Sequence, residues 1–104
     1  MGSSSQAADA GALLKAILRE SSDEVLVFDA DSLRITQANP AATHNLQRPL
    51  KALRHMTPLD CLAEADAQTF TALLAVLQSG KKRRVTLHAH CHRHDGSRYP
   101  VEAR

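Results

Sequence analysis

The chain has 104 residues, enough for one domain that buries about two thirds of the surface its unfolded form exposes, so a single modest core is the most it can build. Its 43% hydrophobic and 23% charged residues are ordinary for a globular protein, while 3% aromatic residues and no Trp predict an aliphatic core of Leu, Val and Ala. A net charge of +2, with one short basic run at Lys81–Arg84, is too small to imply direct nucleic-acid binding, and no apolar stretch approaches the ~20 residues of a membrane span.

The opening "MGSSSQAADAG" has no apolar run of signal-peptide length, which predicts a cytoplasmic protein without membrane contact. Residues 1–8 read as a disordered lead or a cloning remnant, and residues 9–104 as a single domain. "DAGALLKAILRE" sets Leu13, Leu14, Ile17 and Leu18 on one side of a helix, with Asp9 as N-cap. "SSDE" breaks that pattern. "VLVFD" (Val25–Asp29) is then an apolar run of strand length, predicted to be covered on both faces, and "LRITQA" (Leu33–Ala38) alternates as its hairpin partner.

Asn39 and Pro40 form an N-cap followed by a proline at the first helical position, where its missing N–H costs nothing. Pro49 and Pro58 each open a further short helical turn, and Thr57 with Asp60 makes a loose capping box. From Glu64 to Ser79 a longer helix places Phe70, Leu73, Leu74 and Leu77 on one stripe, and Gly80 is positioned to end it in the left-handed conformation. Two strands follow, Arg84–His94 and Ser97–Arg104, joined at Asp95-Gly96, a strong hairpin signal. Alternation turns Val85, Leu87, Ala89 and Cys91 to one face and His88, His90, His92 and His94 to the other, away from the core.

In this order the chain resembles a PAS domain from about Leu13 onward. "VLVFDADSLRITQANPAATHNL" is similar to that family's first hairpin and Asn-led helix, with Asp29 and Asn39 at the matching positions, and "HRHDGSRYPVEAR" is similar to its late hairpin. The resemblance implies an α+β fold: an antiparallel sheet in order 2-1-5-4-3 with short helices on one face. It also implies a sensory or dimerisation role in a larger signalling protein. The fifth strand, central in that sheet, would follow Arg104 and is absent from this sequence. The resemblance therefore predicts a gap between the first and fourth strands, filled by chain residues not included here or by a segment exchanged from a second copy.

The histidine row invites a metal reading, because two imidazoles two residues apart on a strand can share a zinc ion. A catalytic zinc needs a third protein ligand, and neither H-E-x-x-H nor C-x-x-C occurs. The row is thus expected to be a solvated or dimer-facing strand surface, with a metal-responsive module as the alternative. Haem-binding relatives usually take an axial histidine from the long helix, which has none here, and "RHMTPLDCL" lacks the Asn-Cys-Arg motif of flavin-binding relatives. Neither cofactor is expected, nor is catalysis, since no phosphate loop, nucleophile elbow or Cys/His pairing is found. Cys61 and Cys91 are expected as free thiols rather than a bridge.

The expected function is a non-enzymatic sensory module of a bacterial-type regulator, such as a histidine kinase, diguanylate cyclase or transcription factor. A small ligand would bind between sheet and helices, at a candidate site of Asn39, His44, Met56, Phe70, Leu74, Leu87, Cys91 and Tyr99. A homodimer would form through the N-terminal helix and the outer sheet face.

Overall fold

The computed structural model describes residues 12, 13, 16 and 18–104. Those before 21 are helical, in agreement with the expected N-terminal helix, while Asp9, Leu14 and Ile17 lie outside the described residues. Two strands follow, β1 (Leu26–Phe28) and β2 (Ile35–Ala38), paired antiparallel. The turn between them is organised by Asp29, whose Oδ1 accepts from the backbone N–H of Asp31 (2.9 Å) and Ser32 (2.8 Å). That turn takes Leu33 into the left-handed region (φ 63°), so the second strand starts at Ile35 rather than at Leu33 as the alternation suggested.

Four short helical elements cross from the first hairpin to the second: α1 (Pro40–Leu46), α2 (Leu50–Leu53), α3 (Pro58–Cys61) and a 3-10 turn at Glu64–Asp66. Pro40 and Pro58 occupy first helical positions as expected, whereas Pro49 sits one residue earlier, as the N-cap of α2. Thr57 and Asp60 form the expected capping box, in which the Thr57 N–H donates to Asp60 Oδ2 (2.9 Å). Gln47 ends α1 in the left-handed conformation (φ 58°), an uncommon choice for a residue other than Gly or Asn. Its side chain then reaches Asp95 in the far hairpin: Nε2 donates to Oδ2 (3.2 Å) and Oε1 accepts from the Asp95 N–H (3.1 Å).

The long helix α4 (Ala67–Gln78) follows, and Gly80 leaves it at φ 76°, as its position predicted. Strands β3 (Leu87–His92) and β4 (Arg98–Ala103) pair antiparallel around the Asp95-Gly96 turn. Ile35, Leu46, Leu53 and Cys61 form the buried core cluster, with Leu26, Phe28, Ala38, Met56, Cys91 and Tyr99 packed against it. The core is aliphatic, as composition implied.

The hairpins do not merge: the strand order is β1-β2 in one sheet and β3-β4 in another. These are the two outer pairs of the order 2-1-5-4-3, in which the fifth strand lies between β1 and β4. The expectation that β1 is covered on both faces is not met, because Val27 remains 39% exposed.

Candidate functional site

Between the hairpins lies a cleft bordered by the facing edges of β1 and β4, the place of the fifth strand. Val25, Leu26 and Phe28 form one wall, Val101 and Ala103 of β4 the other, and Leu87 and Cys91 of β3 extend the second. Phe70, Leu73, Leu74 and Leu77 bring the whole apolar stripe of α4 to the cleft. All four are only half-buried, and no residue of α4 is fully buried. A stripe of this kind faces a core, and here it faces the inner sides of both hairpins. Phe70 leans on Phe28 across the cleft, with ring centroids 6.3 Å apart and planes tilted by 52°.

Of the eight residues singled out from the sequence, Phe70, Leu74, Leu87 and Cys91 line this cleft together. Met56 and Tyr99 pack against the core cluster beside it. Asn39 lies elsewhere, 1% exposed at the start of α1, where it joins segments rather than facing the cleft. His44 is exposed on α1. The sequence did not single out Cys61, Leu46 or Glu24, which also line the cleft. Glu24 sits in the "SSDE" segment that read only as a break between helix and strand, so no periodicity could have marked it.

Two features give the cleft a polar corner. The Tyr99 hydroxyl donates to Glu24 Oε1 at 2.7 Å, and the Arg93 guanidinium stacks over the Tyr99 ring, 4.4 Å from its centroid. Burial, then the bond to Glu24, raises the Tyr99 phenol well above its ordinary range. Cys61 and Cys91 are free thiols, and burial pushes each up to about 11, with the Glu24 charge acting in the same direction on both. They are protonated at neutral pH and are poor nucleophiles.

The histidines stand on the opposite side of β3. His88 and His90 are exposed and His92 is half-buried, while His94 lies in the turn with Nδ1 3.2 Å from Arg48 Nη1. Among the described residues no group of three His, Cys, Asp or Glu side chains is placed to hold a metal ion. None of the described helices is long and apolar enough to cross a membrane.

Comparison with solved structures agrees with this architecture. A domain of a sensory box sensor histidine kinase/response regulator from Geobacter sulfurreducens superimposes with a TM-score of 0.76 at 15% identity, over 89% of this chain and 79% of that one. The PAS domain of an HTR-like protein from Haloarcula marismortui matches with a TM-score of 0.70 at 24% identity, over 90% and 80%. A PAS domain from Desulfitobacterium hafniense matches with a TM-score of 0.67 at 24% identity, over 82% and 77%. No protein-family model and no curated protein matches the sequence. The chain has the α+β PAS fold, reached at sequence identities low enough that the likeness is one of architecture.

Proposed function

We propose that the protein is a non-enzymatic sensory module of a larger signalling or transcriptional regulator, responding to a small, mostly apolar molecule held between the two hairpins and α4. One observation carries this reading: the chain has the PAS fold, and the apolar stripe of α4 faces the inner sides of both hairpins, where a small molecule would be held. The raised thiols of Cys61 and Cys91 accord with binding rather than with nucleophilic chemistry at those two residues. Neither haem nor flavin is part of this reading, and the working compartment is the cytoplasm.

The module is further proposed to dimerise through its N-terminal helix and outer sheet face. Leu13, 61% exposed, and Val27 are the large apolar side chains that the described residues leave to solvent, one on each of those elements.

Native mass spectrometry of the purified protein tests the ligand reading, with Leu74→Trp as the variant that fills the cleft. The expected result is a bound small-molecule mass in the wild type that Leu74→Trp lacks while keeping its circular dichroism. A bound mass equally retained by Leu74→Trp places the ligand elsewhere and overturns the reading. Sedimentation at micromolar concentration, with Leu13→Glu as the disrupting change, tests the dimer.

A further inference from the structure

Resting on the reading of the outer sheet face as a dimer contact, we propose that a second copy docks on the outer face of the β3–β4 hairpin, antiparallel to the first, with the two-fold axis passing at Pro100 and His90. Alternation along β4 sends the side chains of Arg98, Pro100 and Glu102 to that face, where all three are exposed, while Tyr99 and Val101 turn inward. On β3 the same face carries His88, His90 and His92, which stand opposite Glu102, Pro100 and Arg98 in the ladder. A fifth strand pairs with the edge of β4 and leaves this face as it is.

The β4 row is self-complementary. It runs cation, proline, anion, so a half-turn about Pro100 sets Arg98 of each copy over Glu102 of the other. Stacked sheets lie about 10 Å apart, a gap that one arginine and one glutamate side chain span together. Pro100 at the axis is short and apolar, so no polar side chain is buried there. A partner of one charge sign would meet the wrong charge at one end of the row, and for that reason the face fits a second copy rather than a polyanion. Glu102 already lies 3.5 Å from Arg104, but with the side chains 49% and 75% exposed that pair holds Glu102 weakly, and it can turn to the second copy.

The same half-turn sets His90 against its counterpart and His88 against His92 of the second copy. Neutral imidazoles both donate and accept hydrogen bonds, so such pairs are compatible; as imidazolium cations they repel. Among the described residues the charged groups around the row are Arg98, Glu102 and Arg104 on β4, Arg84 ahead of β3, and Glu64 and Asp66 in the 3-10 turn, where Asp66 Oδ2 already accepts from the His90 N–H. Three cations face three carboxylates, so protons added to the histidines are not offset. Acid should therefore open the contact.

The test is sedimentation equilibrium at micromolar concentration of wild type, Arg98→Glu, Glu102→Arg, the two combined, and the double variant His88→Gln/His90→Gln. Either charge reversal alone places like charges over each other twice and should weaken the dimer roughly tenfold or more, while the combined exchange should return it to within about threefold of wild type. Acidification from about pH 8 to about pH 5.5 should weaken the wild-type dimer by a similar factor, and the histidine variant much less. Circular dichroism that stays constant separates dissociation from unfolding, and its loss in step with dissociation overturns the proposal. Single reversals that leave the dimer intact, or a combined exchange as weak as the single ones, also overturn it and leave a dimer formed elsewhere on the sheet and helix. A wild-type dimer indifferent to acid, or a histidine variant equally sensitive, removes the histidines from the contact and overturns the half-turn as placed. A wild type that is monomeric throughout removes the dimer reading itself.

Discussion

Replacing Asn39 with alanine should cost the protein more stability than removing any single core methyl group. The side chain is 1% exposed and joins three parts of the chain at once. Oδ1 accepts from the N–H of Ala42 (3.0 Å), capping α1, and from the N–H of Val25 (2.9 Å), just before β1. Nδ2 donates to the carbonyl of Asp23 (2.7 Å) and, more distantly, of Ser21 (3.5 Å). Asn39→Ala removes the cap, at about 1 kcal/mol, and strips two further partly buried partners, at about 1 kcal/mol each, for a total of roughly 3 kcal/mol. For a domain of this size that is a fall in Tm of roughly 12–24 °C. Asn39→Ser keeps a hydroxyl for the cap alone and should fall between. Asn39→Asp keeps both acceptor bonds but sets a carboxylate oxygen against the Asp23 carbonyl, so it should also lose stability. Thermal and urea melts of the four proteins decide the matter. A wild-type-like Asn39→Ala, within about 0.5 kcal/mol, or equal melts for the Ala and Ser variants, would refute this account of the residue.

Three further outcomes are expected. With both thiols near 11, about one in a thousand is ionised at pH 8, so iodoacetamide should label Cys61 and Cys91 slowly in the native state and rapidly in urea; equal rates would contradict their burial. Hydrogen bonds to Ser97 and Gln47 hold the Asp95 carboxyl below its ordinary range, and those to Ser32 and Asp31 do the same for Asp29. Folded values lower than unfolded ones give stability that is present above about pH 4 and lost as pH falls through the folded values, so Tm should drop more steeply on acidification in wild type than in Asp95→Asn. Melts with and without a chelator should coincide; a drop of many degrees on chelation would install a metal on the row His88, His90 and His92.

Much of the architecture was readable because local chemistry marks it. Asn39-Pro40, Pro58, Gly80 and Asp95-Gly96 each fix a helix start, a helix end or a turn through constraints within a few residues. What periodicity cannot give is the distance between elements. The stripe of α4 has the pattern of a core-facing helix whatever stands before it, so the elements it faces became visible only in three dimensions. Asn39 illustrates the same limit from the other side. Its cap could be read from its neighbours, but its bonds to Ser21, Asp23 and Val25 join residues 14 to 18 positions away. The candidate site was therefore half legible: apolar positions on regular elements emerged, and Glu24, on an irregular connection, did not.

Pro100 has a consequence for the strand that pairs with β4. The Arg93 N–H donates to Ser97 (2.8 Å), which fixes the alternation of the β3–β4 ladder and makes His90 and Pro100 a pair that exchange no hydrogen bonds. Arg98, Pro100 and Glu102 consequently turn their backbone outward, to the open edge of β4. At the middle of that edge the donor is missing. On the other margin of the hairpin, the His90 carbonyl accepts from the Ala63 N–H (2.8 Å) and its N–H donates to Asp66 Oδ2 (2.9 Å), so that side is already closed. The β4 edge that faces the fifth strand thus carries one interrupted position, Pro100, between Arg98 and Glu102. The strand that lies beside β4 must therefore gain its hydrogen bonds on either side of Pro100 and not at it.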